Sequence, residues 1–241
     1  MAASQGLEAE LASIVRKLSS ELGGNLHACI LYGSAARGDW IAGVSDLNLL
    51  IVLEESTPPA HAAIAEALEA SPFVSPFVIG LPGMQRTFRA FATKFLSIRR
   101  NYRLLHGTDV LAALSIDAAQ ERFLVEQALR NHRLRLVHAY ISFRDDRRRF
   151  TQFIVRSRVG ILVQLSEALR LNGVDVPKSH SERLPILERQ MGTDASVLRD
   201  LAAIKQQKRF LRDDEVPAYH TRLYGLLTGA ISWIEQQWPS P

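Results

Sequence analysis

Two short stretches hold the side chains of this sequence best suited to handling a charged ligand. In the first, Leu31-Tyr32-Gly33-Ser34-Ala35-Ala36-Arg37-Gly38-Asp39, an apolar run ends on a Gly-Ser pair and is followed by an arginine. In the second, Ser45-Asp46-Leu47-Asn48-Leu49-Leu50-Ile51-Val52, an acid and an amide stand two residues apart at the head of another apolar run. A Gly-Ser turn lets the backbone approach a phosphate closely, with amide and hydroxyl donors aimed at the anion. Residues two apart on a strand point to one face, so Asp46 and Asn48 are placed to act on one ligand. Hard divalent cations take oxygen ligands, and a full cage needs converging carboxylates. Asn48 can offer an amide oxygen but brings no negative charge.

The elements that must position these residues follow from apolar spacing. Leu7, Leu11, Ile14, Val15, Leu18 and Leu22 recur at helical intervals and stop at Gly23-Gly24, which predicts an amphipathic first helix. Leu26 to Tyr32 and Leu47 to Leu53 read as buried strands joined through a turn-rich loop. Pro58-Pro59 opens a helix over Ala60 to Ala70, Phe73 to Leu81 reads as a third strand, and Phe91 to Ile98 as a fourth. After Gly107-Thr108-Asp109 strand signals give way to helix-compatible stretches: Ala118 to Ser142, Arg147 to Asn172, Leu184 to Met191, Ala195 to Lys208 and Glu215 to Trp238. The expected organisation is an α/β (α+β) unit with a small mixed sheet over residues 1–112, followed by an all-α helical bundle over 113–241.

Composition bounds the partners. The chain has 241 residues, 47% of them hydrophobic, enough to fill a core. Its apolar runs are too short to span a bilayer and its first residues lack a signal-peptide core, so a cytoplasmic protein without a membrane partner is expected. The single cysteine, Cys29, lies in an apolar run and reads as buried and inert. The net charge is +4, and between Ala70 and Thr108 there is no Asp or Glu, while Arg86, Arg89, Lys94, Arg99, Arg100 and Arg103 fall there. Such a block favours an anionic partner: a nucleotide, another phosphate-bearing ligand, or nucleic acid. The competing reading is a solvated face paired with acids from elsewhere. The scattered histidines give no zinc-ligand spacing.

Taken together, Gly33-Ser34, Ala36-Arg37-Gly38 and Ser45-Asp46-Leu47-Asn48-Leu49-Leu50 resemble the signature of the polymerase-beta-type nucleotidyltransferase superfamily. The likeness is greatest to small bacterial nucleotidyltransferase-domain proteins and aminoglycoside nucleotidyltransferases. It spans about residues 5 to 110, and a helical second domain is common in that group. The resemblance implies that Gly33 and Ser34 contact the phosphates of a nucleoside triphosphate and that Asp46 is the first magnesium ligand. Asn48 stands where the family has its second aspartate. The family's third acid matches the Phe91 to Ile98 segment, with Lys94 in its place. One of three metal-binding acids is therefore left. Arg37 reads equally as a phosphate contact or as a partner of Asp39.

Three functions follow as expectations. The first is slow transfer of a nucleoside monophosphate from a triphosphate to an unidentified acceptor, with Asp46 and Asn48 as catalytic and metal-binding residues and with Arg37 or Lys94 supplying missing positive charge. The second is an inactive pseudo-nucleotidyltransferase that binds a nucleotide or a partner, homo-oligomerisation being left open. The third, ranked well below, is a HEPN-like ribonuclease or toxin-antitoxin component, from the R-x4-H spacing of Arg133 and His138. That spacing leaves the two about 140° apart around a helix.

Overall fold

A computed structural model describes residues 2–41, 43, 45–112, 114 and 116–238. The chain divides into two compact units, Met1–Ser115 and Ile116–Pro241. The expected boundary at 112/113 falls beside Ala113, which lies outside the described residues.

The first unit is built on four strands: β1 (Leu26–Tyr32), β2 (Leu47–Leu53), β3 (Val74–Gly80) and β4 (Tyr102–Gly107). Their order in the sheet is β3-β2-β1-β4. β1 runs antiparallel to both β2 and β4, and β2 runs parallel to β3, so the sheet is mixed. Register pairs Leu31 with Leu49 and Cys29 with Ile51, which puts Leu47, Leu49, Ile51 and Leu53 of β2 on one face with Cys29 and Leu31 of β1. Two helices cover that face: α1 (Ala2–Leu22), through Leu11, Ile14 and Leu18, and α3 (Pro58–Leu68), through Ala60 and Ile64. α1 ends where Gly23 takes φ 52°, and α3 starts at Thr57, whose hydroxyl accepts from the Ala60 N–H. Cys29 is fully buried, and burial pushes its thiol up to about 12, so it stays protonated and inert. Arg103 of β4 donates to both carboxylate oxygens of Glu8 on α1, at 2.8 and 3.0 Å.

The opposite face carries Ile30 and Tyr32 of β1, Asn48 and Leu50 of β2, and Ser75 and Phe77 of β3. Against it lie α4 (Met84–Ala90) and α5 (Ala92–Arg100); Phe95 sits 5.6 Å from Phe77 and 5.5 Å from Phe88, ring centre to ring centre. The expected strand over Phe91 to Ile98 is therefore a helix. Ala92, Phe95 and Leu96 are buried at i, i+3, i+4 while Phe91 is exposed, a pattern that fits a helical face better than a strand. The fourth strand comes directly after it, at Tyr102–Gly107.

The second unit holds α6 (Ala118–Phe143), α7 (Arg147–Leu171), α8 (His180–Met191), α9 (Ser196–Gln206) and α10 (Glu215–Gln237). Asp117 caps α6 by accepting from the Ala119 and Gln120 N–H groups, and Asp146 caps α7 by accepting from that of Arg149. Their shared core includes Phe150, Ile154, Leu165, Leu187, Leu201 and Leu227, all but removed from solvent. Arg130 of α6 donates to Glu126 on its own helix and to Glu235 on α10, at 2.7 and 2.6 Å. No helix among the described residues is long and apolar enough to cross a membrane.

Candidate functional site

The Gly-Ser turn sits at the end of β1. Gly33 has φ 81° and ψ −145°, backbone that only glycine adopts without strain. A side chain there would also meet its neighbour, because a Cβ would stand 3.0 Å from Asn48 Nδ2. After Gly33 the chain makes one turn of helix, α2 (Ser34–Arg37), which stops at Gly38. The loop back to β2 is closed by Ser45, whose carbonyl accepts from Trp40 Nε1 at 2.9 Å and whose hydroxyl accepts from the Ile41 N–H at 3.2 Å. Asp46 is thereby presented at the mouth of β2.

Asp46 is exposed, and its carboxylate makes no hydrogen bond or ion pair with any described residue. Asn48 is half-buried two residues on, with Nδ2 at 3.5 Å from the Asp46 carbonyl, a long and weak contact. Ser34 is half-buried and its hydroxyl has no partner among the described residues. Arg37 is committed elsewhere. Its Nε donates to Asp39 at 3.2 Å, and its side chain keeps only 11% of its surface in solvent against 38% for Asp39. The pairing with Asp39, open in the sequence, is the one formed.

Lys94 reaches the same sheet face from α5, not from a strand. Its ammonium stands 4.8 Å from the centre of the Tyr32 ring and 5.6 Å from that of Phe77. Tyr32 is the register partner of Asn48, so the cation lies over the residue beside the amide. No carboxylate pairs with it among the described residues. The rings desolvate its amine and lower its pKa from the usual lysine value, an effect tempered by the exposure of the residue as a whole. Burial pushes the Tyr32 hydroxyl up to about 12.

The strand next to β2 is β3, and Asn48 pairs there with Ser75. Sequence reasoning overlooked Ser75, Tyr32 and Phe77; the regular apolar spacing of β3 was the signal that could have placed Ser75 beside Asn48. None of the β3 residues on this face carries a charge, and no group of three or more His, Cys, Asp or Glu side chains that could hold a metal occurs among the described residues. This donor set does not fit a cage for two divalent cations. One carboxylate with a neighbouring amide oxygen does fit a single magnesium ion whose other ligands are water and substrate phosphates. Arg133 and His138 both lie on α6, and neither has a hydrogen-bond or ion-pair partner among the described residues.

No protein-family model matches the chain. No curated protein matches its sequence. Among solved structures, the spectinomycin adenyltransferase AAD(9) from Enterococcus faecialis, determined with ATP and spectinomycin, aligns with a TM-score of 0.56. The alignment covers 91% of this chain and 99% of that one, at 14% sequence identity. At that identity the likeness is one of fold: a nucleotidyltransferase-like α/β unit with a mixed sheet, followed by helices.

Proposed function

We propose that the first unit binds a nucleoside triphosphate at Gly33, Ser34 and Asp46 and transfers the nucleoside monophosphate slowly to an acceptor hydroxyl. The observation that carries this reading is the unpartnered, exposed Asp46 carboxylate beside a glycine turn whose backbone suits close phosphate approach. Asp46 and the Asn48 amide oxygen would hold one magnesium ion arriving with the triphosphate. That ion would supply charge neutralisation at the phosphates. The Lys94 ammonium would add a second positive charge without a second metal. The acceptor oxygen attacks the α-phosphorus, the bond from that phosphorus to the bridging oxygen of the β-phosphate breaks, and pyrophosphate leaves. With no second carboxylate on this face among the described residues to take the hydroxyl proton, it passes to water, which is one reason for a low rate.

A second reading, a nucleotide-binding module without transfer, is favoured by Asn48 in place of an acid and by the uncharged β3 face. Incorporation of label from each triphosphate separates the two, run beside Asp46→Ala and Asn48→Asp. Transfer abolished by Asp46→Ala supports the enzyme. Saturable nucleotide binding with no transfer under any divalent metal supports the module, and absence of both overturns the site. Because the structural neighbour was determined with spectinomycin, that compound is the first acceptor to try.

A further inference from the structure

The second unit holds a cleft of its own, between α6 and α7, of about 420 Å³. On α7 the face that lines it runs Arg149, Gln152, Phe153, Arg156, Ser157 and Gly160, which is the i, i+3, i+4, i+7, i+8, i+11 spacing of one continuous helix stripe. On α6, His132, Arg135 and Phe143 close the other side. A seam between neighbouring helices is ordinarily apolar, yet this one brings together three guanidinium groups, Arg149 and Arg156 of α7 and Arg135 of α6, and no carboxylate among its described lining residues.

The arginines differ in what they already hold. Around the same corner, outside the cleft, Arg144 lies near Asp145, Arg147 near Asp213, and Arg148 over the ring of Phe210. Inside it, Arg149 stands 3.5 Å from Asp146 and over Phe143, but Arg135 and Arg156 have no acidic or hydrogen-bonding partner among the described residues. Two guanidinium groups without an acidic partner, Arg135 and Arg156, thus line one cleft from two helices. That distribution suits a small anion better than a nucleic-acid track, which needs a basic path many residues long.

The backbone is also shaped for the cleft. Gly160 lies within α7, where glycine costs about 1 kcal/mol relative to alanine. A Cβ at that position would come within 3.1 Å of the His132 ring, so the glycine makes room for the imidazole. Burial and the neighbouring Arg135 charge lower the pKa of His132 and favour its neutral form. A neutral imidazole and Gln152 offer donors and acceptors, and the two phenylalanines give an apolar wall. The cleft volume falls in the range of small-molecule sites, about 300–1,000 Å³.

We propose that the α6–α7 cleft binds a small organic phosphate carrying a flat ring, of mononucleotide size, with the phosphate on Arg135 and Arg156 and the ring against Phe153. This site is separate from Asp46 and does not depend on the triphosphate reading. The test is isothermal titration of the full chain with AMP and with inorganic phosphate. AMP should bind saturably and phosphate more weakly, since only AMP engages the apolar wall. The double variant Arg135→Ala, Arg156→Ala should weaken AMP binding about tenfold or more, while Asp46→Ala leaves it unchanged. If the double variant melts early, Arg135→Ala alone, at an exposed helix position, should show a loss in the same direction. AMP binding that survives both arginine changes in a folded protein overturns the proposal, as does absence of AMP binding. Loss of AMP binding in Asp46→Ala would move the ligand to the sheet. Affinity seen only for single-stranded RNA and rising with its length would replace the small ligand with a nucleic acid.

Discussion

The mouth of β2 and the α6–α7 cleft, the two anion sites proposed for this protein, are opposite in construction. At β2 the chain offers one free carboxylate, one amide and a glycine turn, with a single lysine brought over from α5. In the cleft it offers arginines from two helices and no acid. The first arrangement relies on backbone geometry and a borrowed cation; its turn, acid and amide fall between Gly33 and Asn48, and its lysine comes from 46 residues further on. The second joins arginine charge to an apolar wall and is assembled from two helices, from His132 to Gly160. In the proposed scheme phosphate placement rests on a turn that only glycine adopts without strain, whereas charge for capture is carried on helix faces.

The largest effect that tests this contrast lies under the cleft. Phe150 is fully buried, with its ring edge-on to Tyr140 at 6.0 Å. Phe150→Ala should cost the helical unit about 3–5 kcal/mol, read in urea denaturation. Nucleotide binding at β2 should persist if the Met1–Ser115 unit keeps its own core; loss of both sites together would break the comparison. Next comes Gly33→Ala, which forces a side chain into backbone that disfavours it and against Asn48. It should cost about 1–3 kcal/mol and weaken triphosphate binding, while AMP binding in the cleft is unaffected.

How much of this was legible follows from burial. β1, β2 and β3 announce themselves because each is a run of apolar residues, and β1 and β2 are buried on both faces. β4 does not, because it is an edge strand whose Arg103 and Leu104 remain exposed, leaving no apolar run to find. The preceding segment, Phe91 to Ile98, took its place in the reading because it is rich in apolar residues, and only burial shows that Ala92, Phe95 and Leu96 share a helical face while Phe91 is exposed. The nearness of Asp46, Asn48 and Gly33 could be read from two strands and a turn. That Ser75, and not a residue of a later strand, is the register partner of Asn48 required the parallel β2–β3 pairing. The cleft was harder still: nothing in the polar face of a helix says whether acids from other elements will neutralise arginines such as Arg149 and Arg156.

Two smaller effects sharpen the same contrast. Asn48→Asp restores a carboxylate with almost no change in shape and should raise magnesium-dependent label transfer about tenfold, measured at fixed triphosphate. Unchanged transfer would place the defect elsewhere on the face, with Ser75 as the next position to change. In the cleft, the folded-state pKa of His132 lies below the ordinary value of 6.5, so the unfolded chain binds its proton first. Stability should therefore be full above the ordinary histidine range and fall as pH drops through it towards the lowered value. His132→Gln should flatten part of that fall in melting temperature, with His220, also lowered by burial, supplying the remainder.

The strand order has a consequence for synthesis. Tyr32 and Tyr102 are partners in register across β1 and β4, about seventy residues apart in the chain. A growing polypeptide can close β1 against β2 early, but the other side of β1 stays bare until β4 has been made. During that interval the nascent sheet carries an unpaired edge of Leu26–Tyr32, an apolar strand open to pairing with other chains. The residues between, including α4 and α5, are the ones whose synthesis sets the length of that exposure.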